Sequence, residues 1–162
     1  MIEIYKHLAT SGERLIAYLI DILLIVVIVT GFFYFFLGFD GVLENYFSQK
    51  GDLLARIEFL KQRNWIRNIS FIAWILYCIP LEASPTQGTL GKRLMGIRVV
   101  DEFGNRMDLN KSARRNVSKT VSIAIFSLGF IWILFDKKKQ GWHDKLNKTF
   151  VVDKGFTSFN IE

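Results

Sequence analysis

The chain has 162 residues, of which 51% are hydrophobic and 15% aromatic, and its formal net charge is +6. A water-soluble domain spreads its apolar residues in stripes of period 3.6 or 2. Here they bunch into blocks at Leu15–Leu37, Ile69–Leu81 and Val117–Phe135, which excludes that class and points to a membrane.

In chain order, residues 1–13 read as a short polar lead-in, with Thr10 or Ser11 as the N-cap of the first helix. The first span, 13–37, holds a run of 23 residues interrupted only by Asp21, long enough for the roughly 20 a crossing helix needs. It is too long for the apolar core of a cleavable signal peptide, and no small-residue cleavage site follows. Residues 38–64 form an extracytoplasmic connection in which Leu53, Leu54, Ile57 and Leu60 recur at helical spacing, as an amphipathic surface helix or a stalk. The second span, 65–82, uses Trp65 and Arg67 as interfacial anchors, and Pro80 is expected to kink or end its last turn. The cytoplasmic connection 83–111 contains a strand-and-turn pattern, Ile97–Asp101 followed by Glu102-Phe103-Gly104-Asn105. A second strand, Thr149–Asp153, lies in the basic tail 136–162, and the two strands are expected to pair.

Charge sets the orientation. Residues 83–115 hold seven Lys and Arg against three acids, whereas 38–65 hold four against four. The first stretch therefore belongs inside and the second outside, which places the N-terminus in the cytoplasm. A third full span would export a tail with six lysines and separate the two strands. A bent, re-entrant third segment over 112–135 avoids both faults; a simple third span is the alternative. The expected architecture is an all-α membrane protein of the bacterial inner membrane, multi-pass, with a small cytoplasmic β-hairpin-like element and the whole chain as one domain.

The charged residues inside the membrane carry the chemistry. An acid within a spanning helix costs roughly 2.5–3.5 kcal/mol on insertion scales and needs a partner, a wet cavity or a proton. Arg14 and Asp21 are seven residues apart, hence on one helix face but about 10 Å apart along the axis. Helical side chains lean toward the N-terminus, which turns Arg14 away from Asp21 and lets it snorkel to headgroups. Arg115 and Lys119, at the start of the third block, are then the candidate partners of Asp21. Asp21 reads either as a structural ion-pair or hydrogen-bond partner, or as a carboxylate that exchanges a proton for a cation. Glu82 could add a second carboxylate to a cation site; as a helix-end acid it more simply faces water.

Thr86–Arg93 fails the phosphate-loop test, because Arg93 stands where Ser or Thr is required. A helix starting near Thr89 could still hold an anion at its N-terminus, and Lys92 and Arg93 could touch anionic lipid. The membrane surface is a nearer polyanion than nucleic acid, so no nucleic-acid partner is expected. His143-Asp144 is no catalytic pair by itself, and a lone histidine there reads as interfacial or capping. No catalytic constellation, metal-ligand spacing or cofactor motif is found, so no enzyme is expected; Cys78, the one cysteine, cannot form an intramolecular disulfide.

Three segments, taken in order, resemble the RDD family of small bacterial membrane proteins. They are Ala9 with Arg14, Ala17 and Asp21; Thr89, Gly91, Lys92, Gly96 and Val99 with Gly104; and His143-Asp144 with Thr149, Val151 and Val152. The resemblance implies that Arg14, Asp21 and Asp144 are the arginine and two aspartates of the family name, and that transport of ions or other ligands is the role. Asn147-Lys148 stands where the family usually has Ala-Gly. Residues and resemblance together give the expectation: a transporter, exchanging a monovalent cation for a proton at Asp21. Arg14 would tune or anchor, Asp144 would gate or pair, and lipids and further copies of the chain would be partners. A non-transporting scaffold or accessory subunit is the alternative.

Overall fold

A computed structural model describes residues 2–124, 132–133 and 136–157 of the chain. In order, the elements are α1 (Ile2–Lys6), α2 (Ser11–Phe36), α3 (Phe39–Ser48), α4 (Leu53–Glu82), α5 (Leu90–Leu94), β1 (Ile97–Asp101), α6 (Leu109–Ala124), α7 (Trp142–Leu146) and β2 (Thr149–Asp153). The fold is mostly helical with one small antiparallel sheet, and it divides into two compact units: Met1–Asp21 with Ile75–Glu162, and Ile22–Trp74. Among the described residues one helix, α2, is long and apolar enough to cross a membrane. The C-terminal half of the expected third membrane segment, with its bend, falls largely outside the described residues; α6 covers its start.

The N-cap of α2 is Thr10. Its hydroxyl accepts from the Glu13 backbone N–H at 3.2 Å, while the Glu13 carboxylate accepts from the Thr10 N–H at 2.8 Å, a reciprocal capping box. Along α2, Ala17, Asp21, Ile25, Val29 and Phe33 are buried at a spacing of four, and Leu15, Leu19, Leu23 and Val27 on other faces are exposed. Asp21 therefore lies on the protein-facing stripe. The stalk and the second span are one continuous helix, α4, which runs through Pro80 to Glu82. It buries Ile66, Ser70, Trp74, Cys78 and Glu82, again at a spacing of four. Both long helices thus carry a carboxylate on their buried stripe.

In the unit Ile22–Trp74, α3 buries Phe39 and Val42, and Phe59 stacks on both Phe39 and Tyr46. In the other unit, β1 and β2 pair antiparallel, from Ile97 opposite Asp153 to Asp101 opposite Thr149, as expected. Both faces of this sheet are covered. Ile97, Val99 and Val151 pack with Ala9, Ala17 and Met107 on one side, and Val100, Phe150 and Val152 with Ile4 and Phe156 on the other. Residues 1–13 are consequently more than a polar lead-in. Ile4 and Ala9 are core, the Ala9 N–H donates to the Val151 carbonyl, and the Asp153 N–H donates to the His7 carbonyl. The signal was faint, because one short helix and two residues of bridging chain show no period.

The turn from α7 into β2 places Lys148 at φ 49°, a left-handed conformation that disfavours a Cβ. Its ion pair with Glu102, 3.6 Å long and largely exposed, contributes little. Lys148→Gly is therefore expected to stabilise the protein by about 0.5–1 kcal/mol. Thermal unfolding in detergent checks this: the Tm should rise, and a lower Tm would show that the lysine contacts outweigh the backbone relief.

Candidate functional site: a buried charge network

Asp21 meets neutral donors. The Thr89 hydroxyl donates to its Oδ2 at 2.5 Å, and the Gly91 N–H and Tyr77 hydroxyl donate to its Oδ1 at 2.8 and 3.2 Å. Tyr77 in turn accepts from the Leu90 N–H at 2.9 Å. The anion at the start of α5 is thus the chain's own carboxylate. Gly91 is required by closeness rather than by backbone angle: a Cβ there would lie 2.1 Å from the Ala17 carbonyl oxygen. Its absence lets α5 sit directly on the backbone of α2, which places the Gly91 N–H on Asp21.

A second cluster is built around Arg115, itself fully buried. Its Nη1 donates to Glu82 Oε2 at 2.6 Å, and its Nη2 and Nε donate to Asp144 Oδ1 at 2.6 and 3.0 Å. Glu82, with 0% of its surface exposed, also accepts from Lys92 Nζ at 2.5 Å, Lys119 Nζ at 3.2 Å and Asn116 Nδ2 at 2.9 Å. Asp144, equally buried, is held on its other oxygen by Arg14 and by the Gly141 N–H. Arg14 also donates to the Lys139 carbonyl. The planar guanidinium of Arg115 can serve two carboxylates at once because its donors point in fixed directions.

The local sequence explains how α6 supplies this cluster. Ser112, Arg115, Asn116 and Lys119 recur at i, i+3, i+4 and i+7, so they share one face, and all four are buried. Leu109 and Val117 on the same helix are exposed. This helix turns its polar face inward. Ser112 anchors it by donating to the Ile79 carbonyl at 2.8 Å.

At the tail, burial alone would push the Asp144 carboxyl up, but the charges of Arg14 and Arg115 around it hold it well below the usual carboxylate range. Burial pushes the neighbouring His143 down to about 3, so this imidazole is neutral at physiological pH. Its Nε2 lies 3.4 Å from Asp144 Oδ1.

Several sequence-based expectations are corrected by this geometry. Arg115 and Lys119 bind Glu82, and Arg115 also binds Asp144; neither is the partner found for Asp21. The reason is the α5 start, which reaches Asp21 with hydroxyl and amide donors. Arg14 pairs with Asp144 instead of snorkelling to headgroups. Glu82 is buried among cations and does not face water. Thr89 and Lys92 are turned inward onto Asp21 and Glu82, so of the three residues expected on lipid or anion, Arg93 alone is exposed. His143 is a buried residue, not an interfacial one. Sequence reasoning missed Tyr77, Gly91 and Asn116 as part of the site. For Asn116 a signal existed in the 3-4-7 polar stripe of α6, and Gly91 stood in the family motif with no contact assigned to it; Tyr77 offered none beyond position.

These features are those of a small helical membrane protein in which α6 and α7 are tied to the start of α2 and the end of α4 by buried charge. The RDD family model matches residues 8–148, and the chain belongs to the RDD family. Arg14, Asp21 and Asp144 all lie within the match. Over 86 residues the chain is 43% identical to "Uncharacterized protein YxaI" of Bacillus subtilis (strain 168); the match covers 53% of this chain and 56% of that relative, so the chain spans about half of the relative's length. No solved structure matches. The Ala-Gly of the resemblance falls at Asn147-Lys148, and Lys148 occupies the left-handed conformation that glycine adopts freely.

Removing Arg115 would break the bridge between Glu82 and Asp144 and take the ion-pair donors from Glu82 Oε2 and Asp144 Oδ1, while Lys92, Lys119 and Arg14 stay on their other oxygens. Arg115→Met is expected to destabilise the protein by about 3–5 kcal/mol, and Arg115→Lys by less, since it restores charge without the fork. Chemical denaturation in detergent measures both; equal stability of all three proteins would contradict the bridge. A second expectation concerns pH. The folded-state value of His143 lies below its ordinary 6.5, so unfolded chains take up the proton first. Stability is full above pH 6.5 and falls progressively toward pH 3, by up to about 1.4 kcal/mol per pH unit for one proton, and Asp144 adds to the loss at the acid end. His143→Gln should flatten the decline in that window; an unchanged slope would show that the histidine does not cause it.

Proposed function

We propose that this RDD protein is a membrane-embedded scaffold or accessory subunit, inserted in the bacterial inner membrane with its N-terminus and sheet in the cytoplasm. The observation that carries this reading is the saturation of the buried carboxylates. Asp21 accepts from three neutral donors, while Glu82 and Asp144 are held by Arg14, Lys92, Arg115 and Lys119. Four formal positive charges against the two of Glu82 and Asp144, or three with Asp21, leave a surplus that repels an incoming cation. In this reading the charges hold the fold, its partners are lipids and other membrane proteins, and it catalyses no reaction.

Exchange of a monovalent cation for a proton is the second reading. It is favoured by the presence of three deeply buried carboxylates in one unit of a membrane protein, where intramembrane acids often handle ions. It requires the network to open, and a homo-oligomer to enclose a path, because one copy has few membrane segments.

Cation-driven proton flux in proteoliposomes separates the two, with Na⁺, K⁺ and Li⁺ gradients imposed on wild type and Asp21→Asn. The asparagine keeps an oxygen for Gly91 and Tyr77, and Thr89 can reverse its hydrogen bond, so the fold should persist. The scaffold reading expects no flux from well-folded wild type. Flux in wild type that vanishes in a folded Asp21→Asn protein would replace it with the exchange reading.

A further inference from the structure

The short helix α5 presents two faces of opposite character. Its inner face is fastened to α2 and α4: Thr89 and Gly91 hold Asp21, Gly91 lies against the Ala17 carbonyl, and Lys92 reaches Glu82. Its outer face carries Leu90, Arg93 and Leu94 at i, i+3 and i+4, one contiguous strip. Leu90 is 41% and Leu94 66% exposed, and Arg93 is exposed between them. Two bare leucines beside an arginine on five residues are unusual for a segment in water.

What covers them follows from where α5 is fastened. Its contacts on α2 fall at Ala17 and Asp21, up to two turns beyond Arg14 and inside the apolar run of the membrane-crossing helix. Flanking that contact, Leu15, Ile16 and Leu19 of α2 are exposed, and so is Leu76 of α4. A helix fixed at that level shares the medium of those neighbours, and for a crossing helix the medium is the edge of the acyl region. Arginine at such a depth extends its stem along apolar surface and places its head on phosphate.

We propose that α5 is an interfacial helix embedded in the bilayer, with Leu90 and Leu94 in the outer acyl region and Arg93 on a phospholipid phosphate. The connection between the second span and β1 therefore dips into the membrane instead of running free in the cytoplasm. Asp21 is then sealed from lipid by a lid of the chain's own backbone. This holds under either reading of function, since it depends only on α2 crossing the bilayer.

The test uses the full chain in vesicles of phosphatidylethanolamine and phosphatidylglycerol, with Cys78→Ala and a single new cysteine carrying an environment-sensitive fluorophore. Leu94→Cys reports on α5, and Phe103→Cys, in the exposed turn after β1, is the aqueous reference. Quenching is compared between iodide in the water and a doxyl group near the headgroup end of the lipid acyl chain. Position 94 should be quenched by doxyl lipid at least about twofold more than position 103, and by iodide correspondingly less, as for a residue in the headgroup–acyl boundary. Equal iodide quenching at the two positions would place α5 in water. Protection from both quenchers would mean that a protein surface, such as a second copy, covers it. Either result overturns the proposal. Should Leu94→Cys fail to fold, Leu90→Cys reads the same face.

Discussion

The bridge from Glu82 through Arg115 to Asp144 is the interaction on which the rest of this structure depends. It joins the end of α4, the buried face of α6 and the start of α7 through one guanidinium, with contacts of 2.6 Å to each carboxylate. Arg14 adds the start of α2 to the same point. Each of these charges is costly to bury alone, and each is tolerable because the others are present. The order of the chain is thereby closed on itself: residues near the N-terminus, at the end of α4 and in the C-terminal tail meet in one network.

The second junction, at Asp21, works differently. A carboxylate held by two hydroxyls and a backbone N–H needs no cation, and the close approach allowed by Gly91 makes that possible. The two junctions divide the labour. One fixes α5 to α2 through neutral donors, the other fixes α4, α6, α7 and α2 through charge. Between them the small sheet lies covered on both faces, with the Leu8–Ala9 stretch as a third, partial strand against β2.

Much of this was legible from residue order. The two strands announced themselves as β-branched runs next to turn residues, and they pair. Thr10 was one of two residues expected to cap the first helix, and the structure adds Glu13 as its reciprocal partner. Asp21 stood out because an acid in an apolar run is costly. The partners of those charges were less visible, for a physical reason. A sequence shows which residues need partners, whereas the partner is chosen by packing between segments far apart in the chain. Glu82 at a helix end looked solvated because nothing local showed that α6 would bring Arg115, Asn116 and Lys119 onto it. The polar stripe of α6 was readable at 3-4-7 spacing, yet a polar face normally turns to water, and only the carboxylates on the buried stripes of its neighbours reverse that rule. Asp144 came from family resemblance, since His-Asp in a basic tail has no distinctive period or spacing.

The central claim is that these charges act as one fold-holding brace, and a double-mutant cycle on Glu82 and Arg115 tests it most directly. Glu82→Leu, Arg115→Met and the double variant are compared with wild type by chemical denaturation in detergent. A brace predicts severe loss in each single variant and a loss in the double smaller than their sum by about 3 kcal/mol or more. Each single variant already breaks the Glu82–Arg115 pair, and the double removes the Arg115 charge that Glu82→Leu leaves behind. Single losses that simply add would contradict it, and would mean that the charges are held for some purpose other than holding the fold.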